Sequence, residues 1–222
     1  TQGFHVLAEQ YGQQPAIAYW NLSCLAGALA VLFGEDVEPL RDGLRRYAQV
    51  YEEADRANLA AKLGLAACGE QDPALMADLQ ALLQAAEMDM TIFFRRLGEL
   101  DGDALSPGAF APACYDEAKR RSHEPALADW LARYAGRLAA DPLPPAVRRE
   151  RMRLANPRYV LRNYLAQQAI DRAEQGDAGG IHELLEVLRR PYQDQPGREA
   201  YAARRPDWAR ERAGCSMLSC SS

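Results

Sequence analysis

The sequence has 222 residues, 48% of them hydrophobic and 26% charged, with a formal net charge of −5 at pH 7. That length can bury one large core or two small ones, and the composition is ordinary for a globular chain. The negative balance disfavours a nucleic-acid surface, and with no run of 18 apolar residues we expect no membrane span.

The chain opens Thr1-Gln2-Gly3, without Met and without a basic-then-apolar leader, so it reads as a fragment or processed chain and is placed in the cytosol. Residues 1–14 show no clear period. Pro15 suits the first turn of a helix, and Ile17, Trp20, Leu25, Ala28, Leu29 and Leu32 form a wide apolar stripe ending at Gly34, a candidate C-cap. This helix, 15–33, is expected to be buried on most sides, with Cys24 as a small buried hydrophobe. Asp36 and Pro39 begin a second helix, whose Leu40, Leu44, Tyr47, Val50 and Tyr51 continue at helical spacing toward Leu63. Asp72-Pro73 reads as cap and first turn of a third, with Leu75, Leu79, Leu82 and Leu83 as its stripe. Asp89 or Thr91 can cap a short helix within Met88–Leu97, and the Gly-, Asp- and Pro-rich stretch 101–112 reads as a loop.

Leu127, Trp130, Leu131, Tyr134 and Leu138 mark a helix over 124–140. Pro142, Pro144 and Pro145 then interrupt the chain, and this is the best place to divide it. The Arg-rich helix that follows, 145–154, is too polar to start a core of its own. Its cluster Arg148-Arg149-Glu150-Arg151-Met152-Arg153 reads as a solvated face with i,i+4 pairing rather than a phosphate site. Asn156-Pro157 ends it. Two further helices, 160–175 and 178–189, are joined by a short Gly176-Asp177 connection and should pack antiparallel. Strand alternation is nearly absent, so the fold class is all-α with seven to nine helices.

The residues show little chemistry. There is no glycine-rich phosphate cradle and no HExxH or GxSxG motif, and His5, His123 and His182 stand alone. Glu52, Glu53 and Asp55 read as a solvated helix face, and Asp101 with Asp103 lacks the distant Glu of a calcium loop. The five cysteines are scattered without metal-ligand spacing. Cys220, in the Ser-rich tail, is the thiol most open to exchange or oxidation; it could close on Cys215, although so short a loop strains the bridge.

Several runs together resemble one family. They are Gln14-Pro15-Ala16-Ile17 with Trp20-Asn21-Leu22, Phe94-Arg95-Arg96-Leu97, and Asn156-Pro157-Arg158-Tyr159-Val160-Leu161-Arg162-Asn163. Gly176-Asp177, Pro191-Tyr192, Gln195-Pro196, Tyr201, Pro206-Asp207-Trp208 and the terminal Cys220-Ser221-Ser222 follow in the same order. The chain resembles the C-terminal half of the selenoprotein O family of pseudokinase-like protein adenylyltransferases. The resemblance implies a kinase-like fold that binds ATP in a flipped orientation and transfers AMP to protein hydroxyls with Mg²⁺ or Mn²⁺. It also implies that the catalytic Lys, Glu and metal-binding segments precede this stretch, so no catalytic, cofactor-binding or metal residue is assigned here. Residues 1–222 would be the C-terminal helical region, partnered by the missing catalytic half and by protein substrates, with neither nucleic acid nor membrane. Cys220 occupies the place of selenocysteine in the selenium-containing members, and the resemblance implies a regulatory disulfide with a cysteine in the catalytic half. A helical module that docks client proteins is the alternative.

Overall fold

The structure, a computed structural model, describes residues 14–212, 214 and 215, apart from the side chain of Asp103. Among these residues there are eight α-helices and no strand; Met88 and Cys114 form an isolated antiparallel bridge. The helices are α1 (Gln14–Phe33), α2 (Glu38–Leu63), α3 (Asp72–Ala85), α4 (Met90–Glu99), α5 (Glu117–Ala139), α6 (Pro145–Ala155), α7 (Asn163–Glu174) and α8 (Gly179–Leu188). The chain divides into two units, Thr1–Ala57 and Asn58–Ser222, the boundary falling inside α2. The Pro142–Pro145 segment lies within the second unit.

In the first unit, Gly34 ends α1 at φ +63°, and the Asp36 carboxylate accepts from the Glu38 N–H at 3.1 Å where α2 begins. Tyr47 of α2 donates to the Pro15 carbonyl at 3.3 Å and packs its ring against Tyr19. The expectation of a buried first helix does not hold. No residue of α1 is buried; Trp20 is 65% exposed, Val31 82% and Leu32 76%, and Cys24 is exposed with them. The reason is geometric: apolar side chains occupy well over half the circumference of α1, and the contact through Tyr47 covers one side only. By length and composition α1 could also cross a membrane, because Asn21, Ser23 and Gly27 interrupt its apolar run without adding charge.

In the second unit, Leu63, Leu65, Leu79, Phe93, Leu97, Phe110 and Trp130 centre a core built by α3 to α6 and the end of α2. Phe93 stacks on Phe110 at 4.4 Å between centroids and meets Trp130 edge-on at 6.2 Å, while Trp130 stacks on Tyr134 at 5.2 Å. Polar tips tie these rings to the backbone. The Trp130 indole donates to the Leu75 carbonyl at 2.8 Å, and the Tyr134 hydroxyl donates to the Leu63 carbonyl at 2.9 Å. Thus α5 is fastened to α3 and to the end of α2.

Two helix ends show how the turns are set. After α2, Leu65 N–H bonds the Ala60 carbonyl at 2.8 Å and Gly64 N–H bonds Ala61 at 3.2 Å, with Gly64 at φ +70°. These are the paired bonds of a Schellman cap. After α3 the same pair recurs, Met88 to Leu83 at 2.8 Å and Glu87 to Gln84 at 3.2 Å, with a glutamate at φ 49° in place of glycine. Glu87 is held there by Lys119 and, at 3.6 Å, by Arg210.

Several boundaries differ from the sequence reading. Gln71 is the N-cap of α3, while the Asp72 carboxylate turns back to the Gly69 N–H at 2.7 Å and pairs with Arg137 at 2.9 Å. Asp116 caps α5, accepting from Ala118 and Lys119, so the helix starts at Glu117 rather than near 124 and carries Pro125 inside it. His123 consequently lies within the helix, its ring nitrogen 2.9 Å from the Lys119 carbonyl. The stretch 101–112 is partly 3₁₀-helical, at Gly102–Ala104 and Pro107–Ala113. The Arg-rich face of α6 is only partly solvated. Glu150 and Arg153 pair along the helix, but Arg148 and Arg149 reach Asp101, and the Arg148 side chain is 12% exposed.

Candidate functional site

Cys220, the residue expected to carry chemistry, lies outside the described residues, as does any pairing it makes. The structure does show how the chain leading toward it is held. Asn156 through Asn163 and the stretch from Pro191 to Cys215 form one polar lattice over the core, so the most distinctive runs of the sequence converge in space.

Asn156 is fully buried. Its amide donates to the Lys62 carbonyl at 3.1 Å and to the Met152 carbonyl at 3.0 Å, closing α6 onto the end of α2. The backbone N–H groups of Arg158 and Tyr159 both donate to the Pro191 carbonyl, at 2.8 and 3.1 Å. Arg95 of α4 gathers three carbonyls, those of Arg153, Asn156 and Tyr192, at 3.2, 3.3 and 3.3 Å. Arg158 pairs with Asp194 at 2.7 Å, and the Gln195 side chain donates to the Val187 and Arg190 carbonyls at 3.0 Å. A guanidinium suits this work because its planar fork serves several acceptors at once.

The electrostatic centre of the lattice is Asp89. It caps α4 by accepting from the Ile92 N–H at 3.1 Å, and its own N–H donates to Ala113 at 2.7 Å. Arg162 grips the same carboxylate with two N–H groups, at 2.5 and 3.0 Å, and the Tyr115 hydroxyl donates at 2.8 Å. The pair is nearly dry, with 12% of the Arg162 side chain and 3% of Asp89 exposed. Burial pushes the Asp89 carboxyl up, but the Arg162 guanidinium and the other donors outweigh it and hold the group below the usual carboxylate range. Burial also raises the Tyr115 phenol, helped by the Asp89 charge beside it. Arg205 stacks its guanidinium over the Tyr115 ring at 5.3 Å, and Arg204 donates to the Cys114 carbonyl. The tail segment is thereby pinned to the bridge at Met88 and Cys114.

Beyond this point Tyr164, Leu165, Ala169, Leu184, Ala209 and Cys215 form a second apolar cluster. Helices α7 and α8 pack on each other there, as their short connection predicts. Gly176 closes α7 at φ +86°, and Asp177 accepts from Gly179 at 2.8 Å where α8 starts. Cys215 is 5% exposed within the cluster. The Cys114 thiol is likewise buried, and burial raises its pKa, which makes it a poor thiolate.

An open cleft of about 690 Å³ lies between α7, α8 and residues 200–206. Its floor is Leu165, Ala169 and Leu184. Its charged wall groups are already committed: Asp171 to Arg212 at 2.6 Å, Arg172 to Asp177 at 2.7 Å, and Arg204 to a carbonyl. Such walls suit an apolar side chain or peptide better than a phosphate. Among the described residues no group of three His, Cys, Asp or Glu side chains could hold a metal ion.

The lattice could not be found by spacing, since Arg162 and Asp89 are 73 positions apart. The usable signal was the density of Arg, Asn, Tyr and Pro in polar runs between the helices.

Comparison with known proteins accounts for those runs. The family model described as "Protein adenylyltransferase SelO" matches residues 7–189. The chain is 62% identical over 213 residues to the Protein nucleotidyltransferase YdiU of Xanthomonas axonopodis pv. citri (strain 306). It is 61% identical to that of Xanthomonas euvesicatoria pv. vesicatoria (strain 85-10) and 58% to that of Xanthomonas campestris pv. campestris (strain 8004). Each alignment covers 96% of this chain and 41% of the relative, so the chain spans less than half the length of these proteins. The matched stretch contains α1 to α8 and the whole Asn156–Asn163 run, and the chain belongs to the SelO family of protein nucleotidyltransferases.

Proposed function

We propose that the protein containing this stretch transfers AMP from ATP to Ser, Thr or Tyr hydroxyls of proteins, and that these 222 residues are its non-catalytic helical part. One observation carries the division of labour. The chain matches its relatives over 41% of their length, and its buried Asp89–Arg162 pair and Asn156 amide hold its own helices together. ATP and Mg²⁺ or Mn²⁺ would be bound by the catalytic half that precedes it. The working compartment is the cytosol, with protein substrates as partners and no role for nucleic acid or membrane.

Cys220 is the regulatory thiol in this reading. It pairs with a cysteine of the catalytic half by exchange with an oxidised small-molecule disulfide. One protein disulfide forms, and the two protons and two electrons leave on the small molecule as two thiols. Replacing Cys220 by Ser in the intact protein should abolish the response of AMP transfer to oxidised glutathione; an undiminished response would remove Cys220 from this role.

A second reading, a module that docks client proteins, is favoured by the α7–α8 cleft. Capture of a client peptide by this chain without nucleotide, lost on Leu184→Arg, would support it.

A further inference from the structure

Leu165, Ala169 and Leu184, the floor of the α7–α8 cleft, are also the neighbours of Cys215 in the second apolar cluster. At the lip the Tyr201 hydroxyl donates to Glu183 at 3.0 Å, beside the Asp171–Arg212 and Arg172–Asp177 pairs. A carboxylate or ammonium entering the cleft would compete with these contacts, whereas an uncharged segment would leave them in place.

Three contacts lay the chain along α7 as it approaches Cys215. Trp208 meets the Tyr164 ring edge-on at 6.2 Å, and Arg212 pairs with Asp171 at 2.6 Å. Gly214 lies against Gln167, where an added Cβ would come within 2.4 Å of the side-chain oxygen. A turn follows. The Cys215 N–H donates to the Arg212 carbonyl at 3.1 Å, with Gly214 at φ +81° in the third position. That bond and that left-handed third residue belong to a type II turn, which reverses the chain. Having run along α7, the chain is therefore turned back over it at Cys215.

The next residues, Ser216-Met217-Leu218-Ser219, lie outside the described residues. They set two large apolar side chains between serines, and no charged side chain occurs from Ala213 to Ser222. At about 3.3–3.6 Å per residue, Met217 can lie up to about 7 Å and Leu218 up to about 11 Å from Cys215, which already packs on the cleft floor.

We propose that Met217 and Leu218 seat in the α7–α8 cleft over Leu165, Ala169 and Leu184, so that the cleft is the dock of the chain's own tail. An unbranched Met suits so irregular a seat. A client peptide has to displace the tail, and Cys220, two residues past Leu218, stays within about 7 Å of the cleft while the tail is seated. The proposal does not depend on the transferase reading.

The test uses the full-length protein with ¹³C-labelled Met and Leu methyl groups, the Met217 signal being assigned from Met217→Ser. Nuclear Overhauser contacts are expected between the Met217 methyl and the methyls of Leu165 and Leu184. Their absence, with the Met217 methyl at its shift in urea, would overturn the proposal. Contacts that vanish on dilution would place the tail of a second copy in the cleft and equally overturn it. In a second measurement the peptide Gly-Ser-Met-Leu-Ser-Ser-Ser is titrated into the wild type and into Met217→Ser/Leu218→Ser, a change confined to the tail. The variant, its cleft vacated, should bind the peptide at least about tenfold more tightly than the wild type. Equal affinity for the two proteins, or binding to neither at about millimolar peptide, would overturn the proposal.

Discussion

Removing the Arg162 guanidinium isolates the energetics that hold the tail segment to the core. Arg162→Ala leaves Asp89 buried with two donors, the Ile92 N–H and the Tyr115 hydroxyl, in place of four. Stripping one partner from a buried ion pair costs about 3–5 kcal/mol, because the remaining charge stays desolvated. The two surviving donors place the loss near the lower end, about 3 kcal/mol, or roughly a hundredfold in the folding equilibrium. In urea denaturation followed by tryptophan fluorescence, with a slope near 2 kcal/mol/M, the midpoint should fall by about 1.5 M at pH 7. The pH dependence follows from the direction of the Asp89 shift. In the wild type its folded pKa is depressed, so the pair's stabilisation is full above the unfolded value of about 4 and is lost as pH falls through the folded value. In the variant, burial dominates and raises the group above its unfolded value, so protonation relieves the penalty as pH falls. The gap between the two proteins should therefore narrow from pH 7 to pH 3. Asp89→Asn added to Arg162→Ala should recover part of the loss, since it keeps the cap and removes the stranded charge. A loss under about 1 kcal/mol at pH 7, or a gap that widens in acid, would refute this account of the lattice.

Two further substitutions probe the core. Gly64→Ala forces a side chain into φ +70° and sets its Cβ 2.5 Å from Arg148 Cγ and 2.7 Å from Met152 Sδ; thermal and chemical denaturation should show a loss of about 2–4 kcal/mol, and unchanged stability would contradict the cap geometry. Trp130→Phe removes the donor to the Leu75 carbonyl and part of the stack on Tyr134; a loss of about 1–3 kcal/mol with native helix content by circular dichroism is expected.

The helices of the second unit were legible because each carries its own signal. Leu127, Trp130, Leu131 and Tyr134 repeat at helical spacing and are all buried, and Asp89 caps α4 as a short acceptor before an apolar turn should. The start of α5 lies before the 124 expected from its apolar stripe, because Asp116 caps a first, polar part of the helix that carries no stripe. The 3₁₀ turns of 102–113 lack periodicity at their length and so read as loop. The run holding Asn156, Arg158 and Arg162 was legible as a helix end and as a family resemblance, but not as a lattice. Its partners, Lys62, Asp194 and Asp89, are chosen by tertiary packing, which spacing does not encode. For α1 the apolar pattern predicts burial, but none of its residues is buried, because the contact through Tyr47 covers one side only.

The central claim is that the transferase chemistry belongs to the whole protein and not to this stretch. It is tested most directly by incubating each with α-labelled ATP, Mg²⁺ or Mn²⁺ and a protein acceptor, and counting label on Ser, Thr or Tyr. The account predicts AMP transfer by the full-length protein and none above background by residues 1–222. AMP transfer by residues 1–222 alone, or none by the full-length protein with either cation, would contradict it.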